Sequence, residues 1–301
     1  MIAITLGDPG GIGIEITLKA LSDFPPKVIL FGNKEAITYY SKSLNLKFPE
    51  KAKIVNIEGN FDVGKKSKVN GKIAYKSLIK AIEAAKQGLC KAIVTAPINK
   101  KALHLAGYKY PGHTEILAKE FSTEKFVMMM AAPGIKVTFV TSHIPFSLIP
   151  RTISKKLIKE KALITDKYLR RYWNLEQPSL GILALNPHAG DSGLFGDEEE
   201  KIIKPAIQEL KEKGLDIDGP FPADTYWSSQ KKDCAIALYH DQGMIPFKIK
   251  SFGKGVNITL GLPIPRTSPD HGTAFDIAGK GIANPGSMKA AIKSAFKISN
   301  V

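Results

Sequence analysis

Short apolar runs rich in Val and Ile alternate along the chain with longer amphipathic segments. That pattern predicts strands and helices in turn and a mostly parallel sheet. Residues 2–6, 28–31, 92–95, 137–141, 180–185, 235–239 and 256–260 read as strands, and 13–21, 73–87, 154–173, 197–213 and 286–298 as helices. The alternation breaks once. Segments 126–131 and 136–141 flank Pro133-Gly134, a hairpin signal, so the expected sheet is mixed. No internal repeat, low-complexity tract or disordered linker marks a domain junction.

The 301 residues suggest about two domains on length alone. With 44% hydrophobic and 24% charged residues, the composition excludes wholesale disorder, and no apolar run is long enough to span a membrane. Two cysteines, Cys90 and Cys234, lie in apolar stretches and cannot build a disulfide framework. The start of the chain shows no secretory pattern, so a reducing, cytoplasmic setting is expected. The formal charge of +15, from 43 basic against 28 acidic residues, favours anionic ligands. The basic residues are scattered and do not interleave with aromatics, so a lysine-rich solvated surface explains them better than a nucleic-acid groove.

In open α/β sheets, ligands collect beyond the carboxyl ends of the strands. Three of the six histidines, His143, His188 and His240, follow directly on three separate predicted strands. A lone histidine is more often structural, but three at equivalent strand ends point to a metal site. Neutral imidazoles suit Zn, Co, Ni or Fe, and three of them leave a coordination position open. Asp191, Asp224 and Asp241 could orient the imidazoles or act as bases, while turn formation explains Asp191 equally well. His113, in Pro111-Gly112-His113-Thr114-Glu115, opens an apolar-periodic segment and reads as an anion-favouring helix start, with Thr114 as a possible N-cap. Lys248, Asn257 and Arg266 follow downstream of His240. Arg266 sits in a proline-stiffened loop, where a guanidinium could grip a phosphate or carboxylate. The glycine-rich Gly7-Asp8-Pro9-Gly10-Gly11-Ile12-Gly13 fails the dinucleotide fingerprint. Its third glycine position is Ile16, and the second strand ends at Asn33 rather than at an acid.

Taken together, these motifs closely resemble the PdxA family of 4-hydroxythreonine-4-phosphate dehydrogenases in vitamin B6 biosynthesis. The matching stretches are the glycine-rich start, Pro111 to Glu115, Asn186-Pro187-His188-Ala189-Gly190 and Pro222-Ala223-Asp224-Thr225. Tyr239-His240-Asp241-Gln242-Gly243, residues 257–263 and residues 266–274 complete the series, in the family's order. The chain is somewhat short for the family, with trimmed connections and no lost motif.

The resemblance implies an isocitrate/isopropylmalate dehydrogenase-like fold, with two α/β/α domains and a mixed sheet around a central cleft. The expected domains are 1–112 plus 272–301 on the cofactor side and 113–271 on the metal, substrate and dimer side. It implies a homodimer with shared active sites and one divalent ion (Zn, Mg or Co) held by His143, His188 and His240, one of them from the partner. His113, Thr114, Lys248, Asn257 and Arg266 would bind a phosphorylated substrate, with Asp224 and Lys248 as catalytic candidates. Segment 271–285 resembles the cofactor loop of decarboxylating dehydrogenases, so His271, Gly272, Thr273, Ala274, Asp276 and Asn284 would hold NAD or NADP. The implied reaction oxidises 4-phosphooxy-L-threonine at C3 and decarboxylates the product. The rivals are oxidation of a sibling substrate such as 4-phospho-D-threonate or D-erythronate, acyl or phosphoryl transfer, and, last, nucleic-acid binding. No membrane or nucleic-acid partner is expected.

Overall fold

Strand β1 (Ile2–Thr5) is buried along its whole length, as a strand with both faces covered in a parallel sheet must be. It lies between β2 (Val28–Gly32) and β4 (Ile93–Thr95), both parallel to it. β3 (Lys53–Asn56) adds in parallel beyond β2, and β11 (Arg266–Pro269) beyond β4. These strands belong to the first of two units in the computed structural model, which describes residues 1–24, 27–229, 231–251 and 253–299. The first unit takes in residues 1–124, 253–258 and 262 onward; the second, 125–251 and 259–261. Strand β10 (Val256–Leu260) thus has residues in both.

The helices of the first unit are α1 (Gly13–Leu21), α2 (Lys34–Ser43), α3 (Lys68–Lys86), α4 (Lys100–Leu105), α5 (His113–Glu120) and α11 (Gly286–Ser299). Asn33 explains why no acid ends the second strand. It is the N-cap of α2: its side-chain oxygen accepts the Ala36 N–H at 2.7 Å, and its amide donates to the Ile57 and Gly59 carbonyls. Helix α5 groups with this unit, because Ile116 and Leu117 pack in one core with Leu78, Ile93 and Leu103. The contacts therefore divide the chain after residue 124, not at the expected 112/113 junction.

The second unit holds β5 (Val127–Ala132), β6 (Ile135–Phe139), β7 (Ser179–Leu183), β8 (Asp216–Phe221) and β9 (Cys234–Ala237), in the order β5-β6-β9-β7-β8. β5 and β6 form the expected antiparallel hairpin, and the other pairs are parallel, so the sheet is mixed. Its helices are α6 (Ile149–Thr152), α7 (Lys155–Trp173), α8 (Lys204–Lys211), α9 (Ala223–Ser229) and α10 (His240–Ser251). α7 starts on a Ser154 cap and stops where Asn174 turns left-handed. α10 packs on β6 and β9 through Gly243, where a Cβ would lie 2.8 Å from Phe139 and Val137. Both cysteines are buried and free, and burial raises both thiols, Cys234 to about 12, so neither is a reactive thiolate. No described helix is long and apolar enough to cross a membrane.

Candidate functional site

The parallel register of β6 on β9 pairs Phe139 with Ala237. The pairing runs on past the strand ends, where Thr141 donates from both its backbone N–H and its hydroxyl to the Leu238 carbonyl, at 3.1 and 2.7 Å. His143 and His240 follow within a few residues, and their ring centroids lie 5.6 Å apart. Gln242 fixes the same corner: its carbonyl accepts the Leu238 N–H at 2.7 Å, while its amide donates to Ala184 at the end of β7. His240 Nδ1 is 2.6 Å from Asp241 Oδ1. A carboxylate there holds the proton on Nδ1 and turns the Nε2 lone pair outward, the arrangement of metal-binding imidazoles.

His188 does not join that pair. It stands on an exposed turn, its ring tilted against Phe195 with centroids 6.1 Å apart. Among the described residues, no group of three His, Cys, Asp or Glu side chains comes together as a metal-binding cluster. The pair's donor set, two imidazoles with a carboxylate behind one of them, has the chemistry a d-block divalent ion takes. Asp191 is exposed on the turn after His188, in a left-handed conformation with φ 41°, so turn formation accounts for it. Asp224 and Lys248 are exposed on α9 and α10.

In the first unit, Arg266 is not in a loop, as the flanking prolines suggest, but opens β11. β4 offers it a parallel partner at the Ile93 level. Its guanidinium is buried and donates from Nε and Nη2 to the Thr95 hydroxyl at 3.1 and 2.7 Å. Burial lowers the guanidinium to about 10, with the nearby Glu115 carboxylate acting against the shift, so it stays cationic at neutral pH. His113 is the first residue of α5, and Gly112, not Thr114, is the N-cap; no side chain caps this helix. Burial, then the Arg266 charge, hold the His113 imidazole well below its ordinary range. It is a neutral hydrogen-bonding group beside a fixed cation, and its Nε2 is buried without a hydrogen-bond partner. The buried Asn257 Oδ1 lacks one as well.

The glycine-rich start is held by hydrogen bonds of its own. Gly10 N–H donates to the buried Asp8 carboxyl at 2.9 Å, and the Tyr40 hydroxyl bonds the Pro9 and Gly11 carbonyls. Ile12 N–H donates to the Thr273 carbonyl at 3.0 Å. One turn on, Glu15 Oε1 accepts the Ala283 N–H at 2.8 Å, and Lys19 Nζ donates to the carbonyls of Gly281 and Ala283. The turn and α1 are thus the seat of segment 271–285. Within that segment Thr273 is buried, Gly272 and Asp276 are exposed, and Ala274 is left-handed at φ 40°. His271 Nδ1 meets the Gly272 carbonyl at 3.1 Å, and Asn284 accepts the Gly286 N–H at the start of α11. The roles of Thr95, Gln242 and Glu15 escaped the sequence reading. Gln242 left a signal in the motif Tyr239-His240-Asp241-Gln242-Gly243, and Glu15 left one as an acid on the apolar face of Gly13–Leu21.

The profile of the family described as "Pyridoxal phosphate biosynthetic protein PdxA" matches residues 20–295. The chain belongs to the PdxA family. PdxA relatives include the 4-hydroxythreonine-4-phosphate dehydrogenase of Trichlorobacter lovleyi, 39% identical over 99% of this chain and 97% of that protein. The D-threonate 4-phosphate dehydrogenase of Salmonella typhimurium is also 39% identical, over 99% and 98%. Among solved PdxA structures, 4-hydroxythreonine-4-phosphate dehydrogenase from Klebsiella pneumoniae superposes with a TM-score of 0.89 at 37% identity, covering 100% of this chain and 98% of that one. A beta-decarboxylating dehydrogenase from Thermococcus kodakarensis shares the fold, with a TM-score of 0.51 at 15% identity over 98% and 81% of the two chains. The isocitrate/isopropylmalate dehydrogenase-like α/β architecture expected from the sequence is the one this PdxA member has.

Proposed function

We propose that this PdxA member is an NAD(P)-dependent, divalent-metal-dependent dehydrogenase of 4-phosphooxy-L-threonine, acting in the cytoplasm in pyridoxal phosphate biosynthesis. The observation that carries the reading is the approach of the His143 and His240 imidazoles, with Asp241 behind His240. An ion held by these imidazoles and His188 would lend Lewis acidity to the substrate's C3 alcohol, and a nicotinamide would take the hydride. Arg266, with His113, Thr114, Lys248 and Asn257, would neutralise and orient the substrate's anionic groups. Asp224 and Lys248 would move protons: the C3 hydroxyl gives up its proton as the hydride leaves C3. The carboxylate of the resulting 3-oxo acid departs as carbon dioxide, and the carbon left behind takes a proton. The product is 3-amino-2-oxopropyl phosphate.

The reading assigns NAD(P) binding to His271, Gly272, Thr273, Ala274, Asp276 and Asn284. The hydrogen bonds that seat segment 271–285 on α1 and the glycine-rich turn support a defined loop there. It also assigns the missing third imidazole to a homodimer in which one ligand comes from the partner. Supporting this, Phe146, Leu194 and Ile249 are 74, 73 and 72% exposed on the segments that follow His143, His188 and His240. Apolar exposure of this kind marks an association surface.

A second reading, oxidation of D-threonate 4-phosphate, is favoured by the Salmonella typhimurium relative, as similar to this chain as the first-named one. The deciding experiment is turnover by purified, metal-stripped protein, with Zn, Mg or Co, NAD or NADP, and each substrate returned separately. Metal-dependent growth of reduced-nicotinamide absorbance with carbon dioxide release on the amino acid is the expected result. Activity only on the hydroxy acid selects the second reading, and full turnover without metal overturns both.

A further inference from the structure

We infer that Glu199 is the positioning residue that sets His188 in its metal-binding orientation, an inference that rests on the metal reading above. Glu199 is completely buried. Its Oε1 accepts two backbone N–H groups, those of Leu185 and Asn186, each at 2.8 Å, and its Oε2 accepts the Asn186 side-chain amide at 2.9 Å. Gly190 presses on the same carboxylate so closely that a Cβ there would lie 2.8 Å from Oε2. One side chain therefore bonds the chain two residues before His188 and lies against it two residues after.

What lies between needs holding. His188, Ala189, Gly190, Asp191 and Ser192 all have positive φ, from 41 to 81°. A left-handed backbone costs roughly 1–2 kcal/mol at each non-glycine residue, so four such residues within five positions do not persist on local preference. Strain of this kind survives only where the surroundings over-determine it. The Glu199 carboxylate supplies that constraint, and three donors offset the cost of burying it. It sits on a wide helical turn, Glu199–Ile203, that precedes α8; such one-residue expansions recur at functional sites. A buried apolar residue would stabilise the core without desolvating a charge. The Glu199 carboxylate binds the amides of 185 and 186 and the Asn186 side chain together, and so fixes where the His188 ring projects.

The test compares wild type, Glu199→Gln and Glu200→Gln, all metal-stripped, titrated with Co(II) and followed by visible absorption, with far-UV circular dichroism to verify folding. Glu200 is an exposed neighbour paired with Lys204. Glu199→Gln keeps the shape but turns an amide toward the Asn186 amide. It should weaken Co(II) binding about 10- to 100-fold, the range for lost support of a metal ligand, and alter the visible bands, while Glu200→Gln matches wild type. If Glu199→Gln fails to fold, Asn186→Ala, which removes the Oε2 contact together with the Asn186 bond to Glu198, should weaken binding about 10-fold. Wild-type Co(II) affinity and spectrum in a folded Glu199→Gln, or in Asn186→Ala, overturn the inference and leave the metal reading standing. Wild-type protein that takes up no Co(II) ends both.

Discussion

The Arg266 guanidinium and the Thr95 hydroxyl are hydrogen-bonded inside the first unit, at 2.7 and 3.1 Å through two separate nitrogens. This ties the first residue of β11 to the last of β4 and fixes a buried cation that stays charged at neutral pH. Thr95→Val keeps the shape and removes the acceptor. A hydrogen bond to a charged group contributes roughly 1.5–3 kcal/mol, so KM for the phosphorylated substrate should rise about 10-fold or more. If the grip is equal in ground and transition states, kcat stays within about 2-fold. Steady-state kinetics decide it, and an unchanged KM would remove the pair from substrate binding.

Asp8 predicts a pH dependence. Burial raises its carboxyl from 3.8 to about 7, against the Gly10 N–H, which lowers it. Between those values the folded chain keeps a proton that the unfolded chain has lost. Stability from this group is therefore full below about pH 4 and lost as pH rises toward 7, with no further change above. Asp8→Asn removes the titration. Urea denaturation should give a variant roughly 4 kcal/mol more stable than wild type at pH 8, with a shallower slope between pH 5 and 7. Parallel slopes would show that Asp8 is ionised throughout.

Glu15 holds the Ala283 amide at 2.8 Å and the Lys19 ammonium at the same distance, and is itself fully buried. Glu15→Gln keeps an acceptor but loses the charge that draws Lys19 to the 281–283 turn. Exchange of the Ala283 amide should quicken about 10-fold, equivalent to about 1.4 kcal/mol of local stability. KM for the nicotinamide nucleotide should rise more than KM for the substrate. Mass-spectrometric hydrogen exchange over 279–285 checks the first, and unchanged protection there would refute it.

Gly243 lets α10 lie close on β6 and β9. Gly243→Ala places a methyl 2.8 Å from Phe139 and Val137 and 3.0 Å from Ala237. Overpacking of this kind costs roughly 1–3 kcal/mol. Because the displaced helix begins at His240, Co(II) affinity should fall along with the denaturation midpoint. A variant destabilised as expected but binding Co(II) normally would show that the His143–His240 spacing is set elsewhere.

Several elements were readable from periodicity because their apolar positions report burial directly. Gly13–Leu21 and Val256–Leu260 come out with the expected bounds, and the hairpin at Pro133-Gly134 is where its turn chemistry puts it. The elements that escaped lack that signal. β11 reads Arg-Thr-Ser-Pro and is a strand only because β4 lies beside it. α10 contains Gly243 and Pro246, both poor helix formers, and is held by packing on the sheet. The helix expected over 197–213 is present as α8, and only its opening wide turn, Glu199–Ile203, goes unannounced by the pattern of polar and apolar residues.

The same division runs through the candidate site. Chain order and residue type were enough to place His143, His188 and His240 beyond strand ends, to reject a dinucleotide fingerprint and to single out Arg266, because strand direction and side-chain chemistry are local properties. Which of those groups meet was decided by the register of β6 on β9, which brings His143 and His240 near each other beyond the strand ends. The charge and protonation of Arg266, His113 and Asp8 followed from burial, and the seat of segment 271–285 from contacts with residues more than 250 positions away. Distance, desolvation and long-range hydrogen bonding come into being only when the chain closes on itself, so no local pattern of residues encodes them.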